Sequence, residues 1–343
     1  MFSGDHQMTV RFRKYSIWLV LGLTCFAGCG SDRTANPETP ATSSDSKAAA
    51  RKPQIVTTVG MLTDIVREVV GDRGEVIGLL SEGVDPHLYK PTREDVKHLT
   101  DADVIFYGGL MLEGRMEESL KRLQSRKPVV GVAESLDPMI LRKPPEFDGH
   151  FDPHVWMDVK LWSQCVDAVT KTMENFDHDH ASELNSRAEA YQQKLSKLDD
   201  YVRTSIESIP EKQRVLVTAH DAFGYFARAY GLEVKSVQGI STESEAGVAD
   251  INALVDVLVE RKIGAIFVES SVSDKSLKAV IEGAAKRGWT VTVGGELFSD
   301  AMGSAGTYEG TYIGMIDHNA TTITRALGGQ APEGGFRSTV EKP

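Results

Sequence analysis

The chain has 343 residues, 41% of them hydrophobic and 25% charged, with 38 Lys and Arg against 49 Asp and Glu for a net charge of −11. That length suggests two domains, and the composition supports a sizeable core and excludes disorder over the bulk of the chain. The acidic balance argues against a nucleic-acid-binding protein, which would need a basic face, and three cysteines exclude a disulfide framework.

The first 29 residues read as an export signal. Arg11, Arg13 and Lys14 give a basic start, and Ile17–Gly28 is an apolar run of 12 residues. Such a run is too short to span a bilayer and suits the hydrophobic region of a signal. A start at Met8 would leave the same signal. The run ends in Phe26-Ala27-Gly28-Cys29, which resembles a bacterial lipobox with Phe26 where Leu or Val is usual. Cleavage and lipidation at Cys29 are therefore expected, and Cys25 is then removed. Residues 30–52 are small, polar and proline-containing, with too little apolar surface to offset the entropy of ordering, and read as a flexible tether. Cys165, in the helical-looking run 161–166, is expected to be a small buried hydrophobe. Nothing else in the chain is long and apolar enough to cross a membrane.

From residue 53 onward, short β-branched runs alternate with longer amphipathic stretches. Strands are expected at 55–59, 75–80, 104–108 and 129–133, and again at 215–219, 233–238, 265–269 and 290–294. A weak internal repeat links the two sets. Ile55 and Val215 are offset by 160 residues, as are Gly71 and Gly231; Val104 and Ala265 are offset by 161, and Val129 and Val291 by 162. The pattern predicts an α/β fold of two similar lobes, each a four-stranded parallel sheet flanked by helices. Between them, Leu184, Ala188, Tyr191, Leu195, Leu198, Val202 and Ile206 recur at steps of three and four, one face of a single helix that Pro210 ends. About 27 residues at 1.5 Å each make a rigid rod of roughly 40 Å. The expected organisation is an N-terminal lobe over 53–175, a linking helix over 176–210, a C-terminal lobe over 211–330 and a tail over 331–343.

Nine histidines are present. His6 lies in the signal, and His98 reads as a surface residue of a helix. His178 and His180 open the long helix beside Asp177 and Asp179, and His318 has no evident partner. Three others stand in loops at expected strand ends. His87 and His154 each close an Asp-Pro-His tripeptide, where proline fixes the turn that aims the ring. His220 leaves the strand 215–219 directly, at the carboxyl edge where parallel sheets bind ligands. Imidazole is the commonest protein metal ligand near neutral pH, and a fourth, anionic ligand could come from Glu296 or Asp300.

Four segments together resemble the metal-binding solute receptors of bacterial ABC importers, the group that takes up zinc and manganese. They are Gly83-Val84-Asp85-Pro86-His87-Leu88-Tyr89-Lys90-Pro91-Thr92, Asp152-Pro153-His154-Val155-Trp156-Met157-Asp158, Thr218-Ala219-His220-Asp221-Ala222-Phe223-Gly224-Tyr225-Phe226 and Gly294-Gly295-Glu296-Leu297-Phe298-Ser299-Asp300. The resemblance spans 53–330. It implies a metal site in the cleft between the lobes made by His87, His154, His220 and Asp300, with Glu243 and Glu269 in supporting positions. It also implies an ABC permease and its ATPase as partners, no enzymatic activity, and a monomer tied by its lipid to the outside of the cytoplasmic membrane.

Three imidazoles and one carboxylate suit zinc, whereas manganese prefers more oxygen donors; ferrous iron is a further possible cargo. Among the resembling proteins the third position is often Glu in manganese-leaning members, so His220 leans toward zinc. The histidine-rich loop of one zinc-specific branch is missing, since only His98 and His150 lie between His87 and His154. Asp85, Asp158 and Asp221 stand beside the candidate ligands and are expected to orient their imidazoles. Two other readings compete. A secreted zinc hydrolase would need an open fourth position and has neither a His-Glu-x-x-His nor a Gly-x-Ser-x-Gly pattern here. A lipoprotein adhesin would depend on surface patches rather than on the histidines.

Overall fold

The computed structural model describes residues 51–340 apart from Arg115. The export signal with Cys25 and Cys29, and the tether up to residue 50, lie outside the described residues.

The first lobe is built from β1 (Gln54–Thr57), α1 (Gly60–Val70), β2 (Glu75–Gly78), α2 (Arg93–Asp101), β3 (Val104–Tyr107), α3 (Met116–Leu123) and β4 (Val129–Gly131). All four strands are parallel, in the order β2-β1-β3-β4. The central strands are nearly continuous apolar runs because helices cover both of their faces. Thr92 starts α2 with a capping box, accepting from Asp95 N while Asp95 accepts from Thr92 N.

Helix α4 (Val159–Phe176) then leads through a 3-10 turn at His178–His180 into α5 (Ala181–Glu207), 27 residues long. Every residue of the apolar stripe from Leu184 to Ile206 is buried. The stripe packs on α1 and α4 of the first lobe and on α9 (Tyr312–Ala326) of the second, so one rod touches both halves.

The second lobe repeats the order with β5 (Val215–Thr218), α6 (Gly224–Tyr230), β6 (Glu233–Ser236), α7 (Val248–Arg261), β7 (Ala265–Glu269), α8 (Lys275–Lys286) and β8 (Thr292–Leu297). Its parallel strands form two ladders, β5 with β6 and β7 with β8, rather than one continuous four-stranded sheet. At the end of β5 the N–H groups of Ala219 and His220 donate to the Glu269 carboxylate, at 2.7 and 2.9 Å, instead of to a neighbouring strand. β8 begins two residues later than expected, and its register slips at Gly294 opposite Ile266 and Phe267.

The main core runs from the first sheet through α4, α5 and α9 to Phe223, Tyr225 and Phe226 of α6 and the turn before it. A smaller core lies under α7 and α8. The halves are thus joined by packed side chains as well as by a helix. The segment expected as a tail packs back on the body: Phe336 is buried, its N–H donates to Asp317 Oδ1 at 2.7 Å, and α10 (Arg337–Val340) follows. Among the described residues no helix is long and apolar enough to cross a membrane.

Candidate metal centre

Four loops converge between the lobes. His87 lies between β2 and α2, His154 between β4 and α4, His220 two residues after the end of β5, and Asp300 between β8 and α9. All four are buried, and one nitrogen or oxygen of each lies within 4.8 Å of the others. His87 Nε2 is 3.4 Å from His154 Nε2. Asp300 Oδ1 is 3.3 Å from His154 Nε2, while Oδ2 is 3.1 Å from His220 Nε2 and 3.8 Å from His87 Nε2. Four ligand atoms about 2.0–2.1 Å from one ion sit about 3.3 Å apart in a tetrahedron, so these separations fit a zinc-sized ion with little adjustment. Both Asp300 oxygens are buried without a hydrogen-bond donor. Such groups are rare unless something else satisfies them, and a cation would. Glu296, the other carboxylate considered, is exposed on β8. A cavity of about 350 Å³, lined by Gly60, Thr63, Glu82 and Met302, reaches Asp300 from the side of α1.

Carboxylates hold two of the rings. Glu269 Oε2 lies 2.5 Å from His220 Nδ1, while its other oxygen takes the two backbone N–H groups at the end of β5. Asp152 Oδ1 accepts from both the backbone N–H and Nδ1 of His154, at 3.0 and 2.8 Å, and its Oδ2 pairs with Arg142 Nη1 at 2.5 Å. Each ring thereby directs Nε2 into the centre, the arrangement that orients metal-binding imidazoles. Trp156 packs edge-on against His154 and donates Nε1–H to Ser299 O at 2.9 Å, tying His154's loop to that of Asp300. Tyr312 adds a second tie by donating to Trp156 O at 2.7 Å.

The electrostatics differ from ring to ring. Burial pushes His87 down to about 3, against the attraction of Asp300 and with the repulsion of the other two rings. Burial also opposes charge on His154, but the hydrogen bond to Asp152 and the negative charges of Asp300 and Asp152 raise it to about 9. For His220, burial is likewise outweighed by the charges of Glu269 and Asp300, which hold it well above the usual histidine range. Asp300 is buried, yet the rings of His220 and His154 keep it well below the usual carboxylate range.

The other carboxylates singled out in the sequence take varied places. Asp85 Oδ1 accepts from His87 N at 2.8 Å, and Oδ2 accepts from Thr242 Oγ1 of the other lobe at 2.5 Å. Asp158 caps α4 by accepting from the N–H groups of Lys160 and Leu161. Asp221 is partly buried, with no hydrogen bond to Oδ1, and burial raises its carboxyl. Glu243 is exposed. Asp152 has no role that its motif alone announces; its place two residues before His154 is the available signal. Arg142 stands in an irregular loop with no sequence signal at all. Away from the centre, His180 joins Asp177 and Arg73, His318 Nε2 meets Glu296 O at 2.9 Å, and His98 sits 3.8 Å from Glu94.

Comparison with known proteins identifies relatives of this chain. The family described as "Zinc-uptake complex component A periplasmic" (ZnuA) matches residues 55–326. The chain is 49% identical to "Zinc-binding protein TroA" of Treponema pallidum (strain Nichols), over 84% of this chain and 93% of the relative. It is 46% identical to "Manganese-binding lipoprotein MntA" of Bacillus subtilis (strain 168), over 88% and 94% respectively. The solved periplasmic zinc-binding protein TroA superposes with a TM-score of 0.78 over 80% of this chain and 99% of its own.

Proposed function

We propose that this chain, which belongs to the ZnuA family of periplasmic zinc-uptake components, is the extracytoplasmic solute-binding protein of an ABC importer for divalent transition metals. It binds and delivers an ion and performs no catalysis. His87, His154, His220 and Asp300 hold the ion. The observation that carries this is the convergence of three buried imidazole nitrogens on a carboxylate whose two oxygens have no other donor.

Zinc is the cargo favoured by three nitrogens and one oxygen in a closed site. Manganese is the second candidate, because both Asp300 oxygens face the rings and a two-oxygen grip would raise the coordination number. A hydrolase would need a position open to water, and Asp300 occupies the fourth corner.

The lobes comprise 53–175 and 211–330, with 176–210 linking them. The protein acts as a monomer, receives a lipid at Cys29, and passes its ion to a permease driven by an ATPase. The lipobox-like Phe26-Ala27-Gly28-Cys29 and the polar stretch after it support the anchor.

Metal-free protein titrated with zinc and with manganese, each against a chelator, tests the reading. Tight zinc binding with manganese weaker by orders of magnitude identifies a zinc receptor. Equal tight binding makes the site permissive. Failure of both metals removes the four-residue assignment.

A further inference from the structure

His154 and His220 belong to different lobes, with ring centroids 5.3 Å apart. The spacing between their loops is set at one helix face. Tyr225, in the first turn of α6, is fully buried; its hydroxyl accepts from Arg142 N at 3.0 Å and donates to Asp152 O at 2.9 Å. Its ring lies close to two guanidinium groups, with Arg142 at 5.7 Å and Arg228 at 4.9 Å from the centroid. Arg228 also donates to Ile140 O at 2.8 Å and stands 3.9 Å from Asp158. All of these partners lie on the segment that carries His154. Gly224 completes the joint, because a Cβ at that position would occupy the space of the Arg142 guanidinium.

We propose that Tyr225 and Arg228 are positioning residues that fix the bite between His154 and His220, and with it the discrimination between zinc and manganese. The proposal rests on the reading that these two imidazoles hold the ion. His154 follows Asp152 by two positions and Tyr225 follows His220 by five, so slack at the tyrosine hydroxyl passes to both rings with little chain to absorb it. The hydroxyl also holds the backbone of Asp152, whose carboxylate orients His154. Zinc needs all three imidazoles at short, near-tetrahedral distances. Manganese takes more oxygen donors in a larger shell and is less sensitive to one loosened nitrogen.

The test uses the full chain with Tyr225→Phe, which keeps the ring, and Arg228→Gln, which changes an exposed side chain and leaves the core intact. Zinc and manganese affinities are measured by chelator competition, and the ligand-field spectrum of the cobalt(II) form reports site geometry. Zinc affinity is expected to fall about tenfold or more, manganese affinity less, and the cobalt bands to shift. Unchanged affinities and spectrum, with only a lower melting temperature, overturn the proposal. Equal losses for both metals overturn the discrimination. His220→Ala separates the two levels: if it keeps full zinc affinity, the four-residue site itself is wrong, whatever Tyr225 does.

Discussion

Asp85-Pro86-His87 and Asp152-Pro153-His154 make the same local turn. In each, an aspartate oxygen accepts the backbone N–H of the histidine two residues on, at 2.8 and 3.0 Å. Beyond that bond they diverge. The second oxygen of Asp85 reaches across to Thr242, and burial leaves His87 at about 3. Asp152 also takes Nδ1 of its own histidine and pairs with Arg142, and His154 rises to about 9. A tripeptide therefore sets the direction of the chain, while the bias of its ring depends on whether a carboxylate oxygen also faces Nδ1. Burial disfavours charge on His87, whereas the carboxylates beside His154 and His220 favour it on those rings.

The contrast can be attacked at several strengths. The largest effect is expected from Asp300→Ala, which removes the group facing all three rings; zinc affinity should fall on the order of a thousandfold, read by chelator competition. A retained affinity would mean that the two kinds of histidine do not share one ion.

Next comes the paired comparison itself. Asp152→Asn should weaken zinc roughly 10–100-fold, because it removes the charge that orients His154. Asp85→Asn should weaken it only a few-fold, since Asp85 contacts the backbone of His87 and not its ring. Equal losses would erase the distinction. Asp158→Asn and Asp221→Asn, expected from sequence alone to weaken binding, should follow Asp85, because Asp158 serves a helix cap.

Proton release sharpens the comparison. His154 and His220 have raised values in the metal-free protein, so each is protonated below its folded value and must lose that proton to bind. Affinity should therefore drop as pH falls from about 9 towards 7, by up to about tenfold per unit for each ring still to be deprotonated. His87, at about 3, adds nothing in that range. Calorimetry in buffers of different ionisation enthalpy should count about two protons released at pH 7; three would place His87 with the others. For the fold the sign is opposite. The raised value of His154 stabilises metal-free protein below about pH 6.5, and that contribution is lost as pH rises through about 9.

The smallest effect is expected from Thr242→Val, which removes the donor to Asp85 across the cleft. A loss of about 1 kcal/mol in thermal or denaturant unfolding, with zinc affinity changed only a few-fold, would match a bond that steadies the loop without touching the ring.

Much of this architecture could be read along the chain. The apolar stripe of α5 needs only a repeat of three and four, and every residue from Leu184 to Ile206 in that stripe is buried. The parallel strands announced themselves as short β-branched runs, and His87, His154, His220 and Asp300 stood at the loop ends where such sheets gather ligands. The split of the second sheet into two ladders did not show, and neither did the Glu269 side chain taking two backbone donors some 50 positions away, because both depend on groups remote in the chain. Nor did the return of Phe336 to the core, which depends on Asp317 being there to receive its N–H.

Sequence by itself determined what is local: the helix face, the strand alternation, and the proline-fixed turns of the two Asp-Pro-His tripeptides. Each is closed within a few residues, so spacing and residue type suffice. Only the tertiary structure decided how burial and neighbouring charge bias each ring and how far apart the lobes hold His154 and His220. Those depend on Arg142 meeting Asp152, Glu269 meeting His220, and Tyr225 meeting a loop 73 to 83 residues earlier. Electrostatic shifts and ligand spacing follow from distances between groups far apart in the chain, and no short-range pattern encodes those distances.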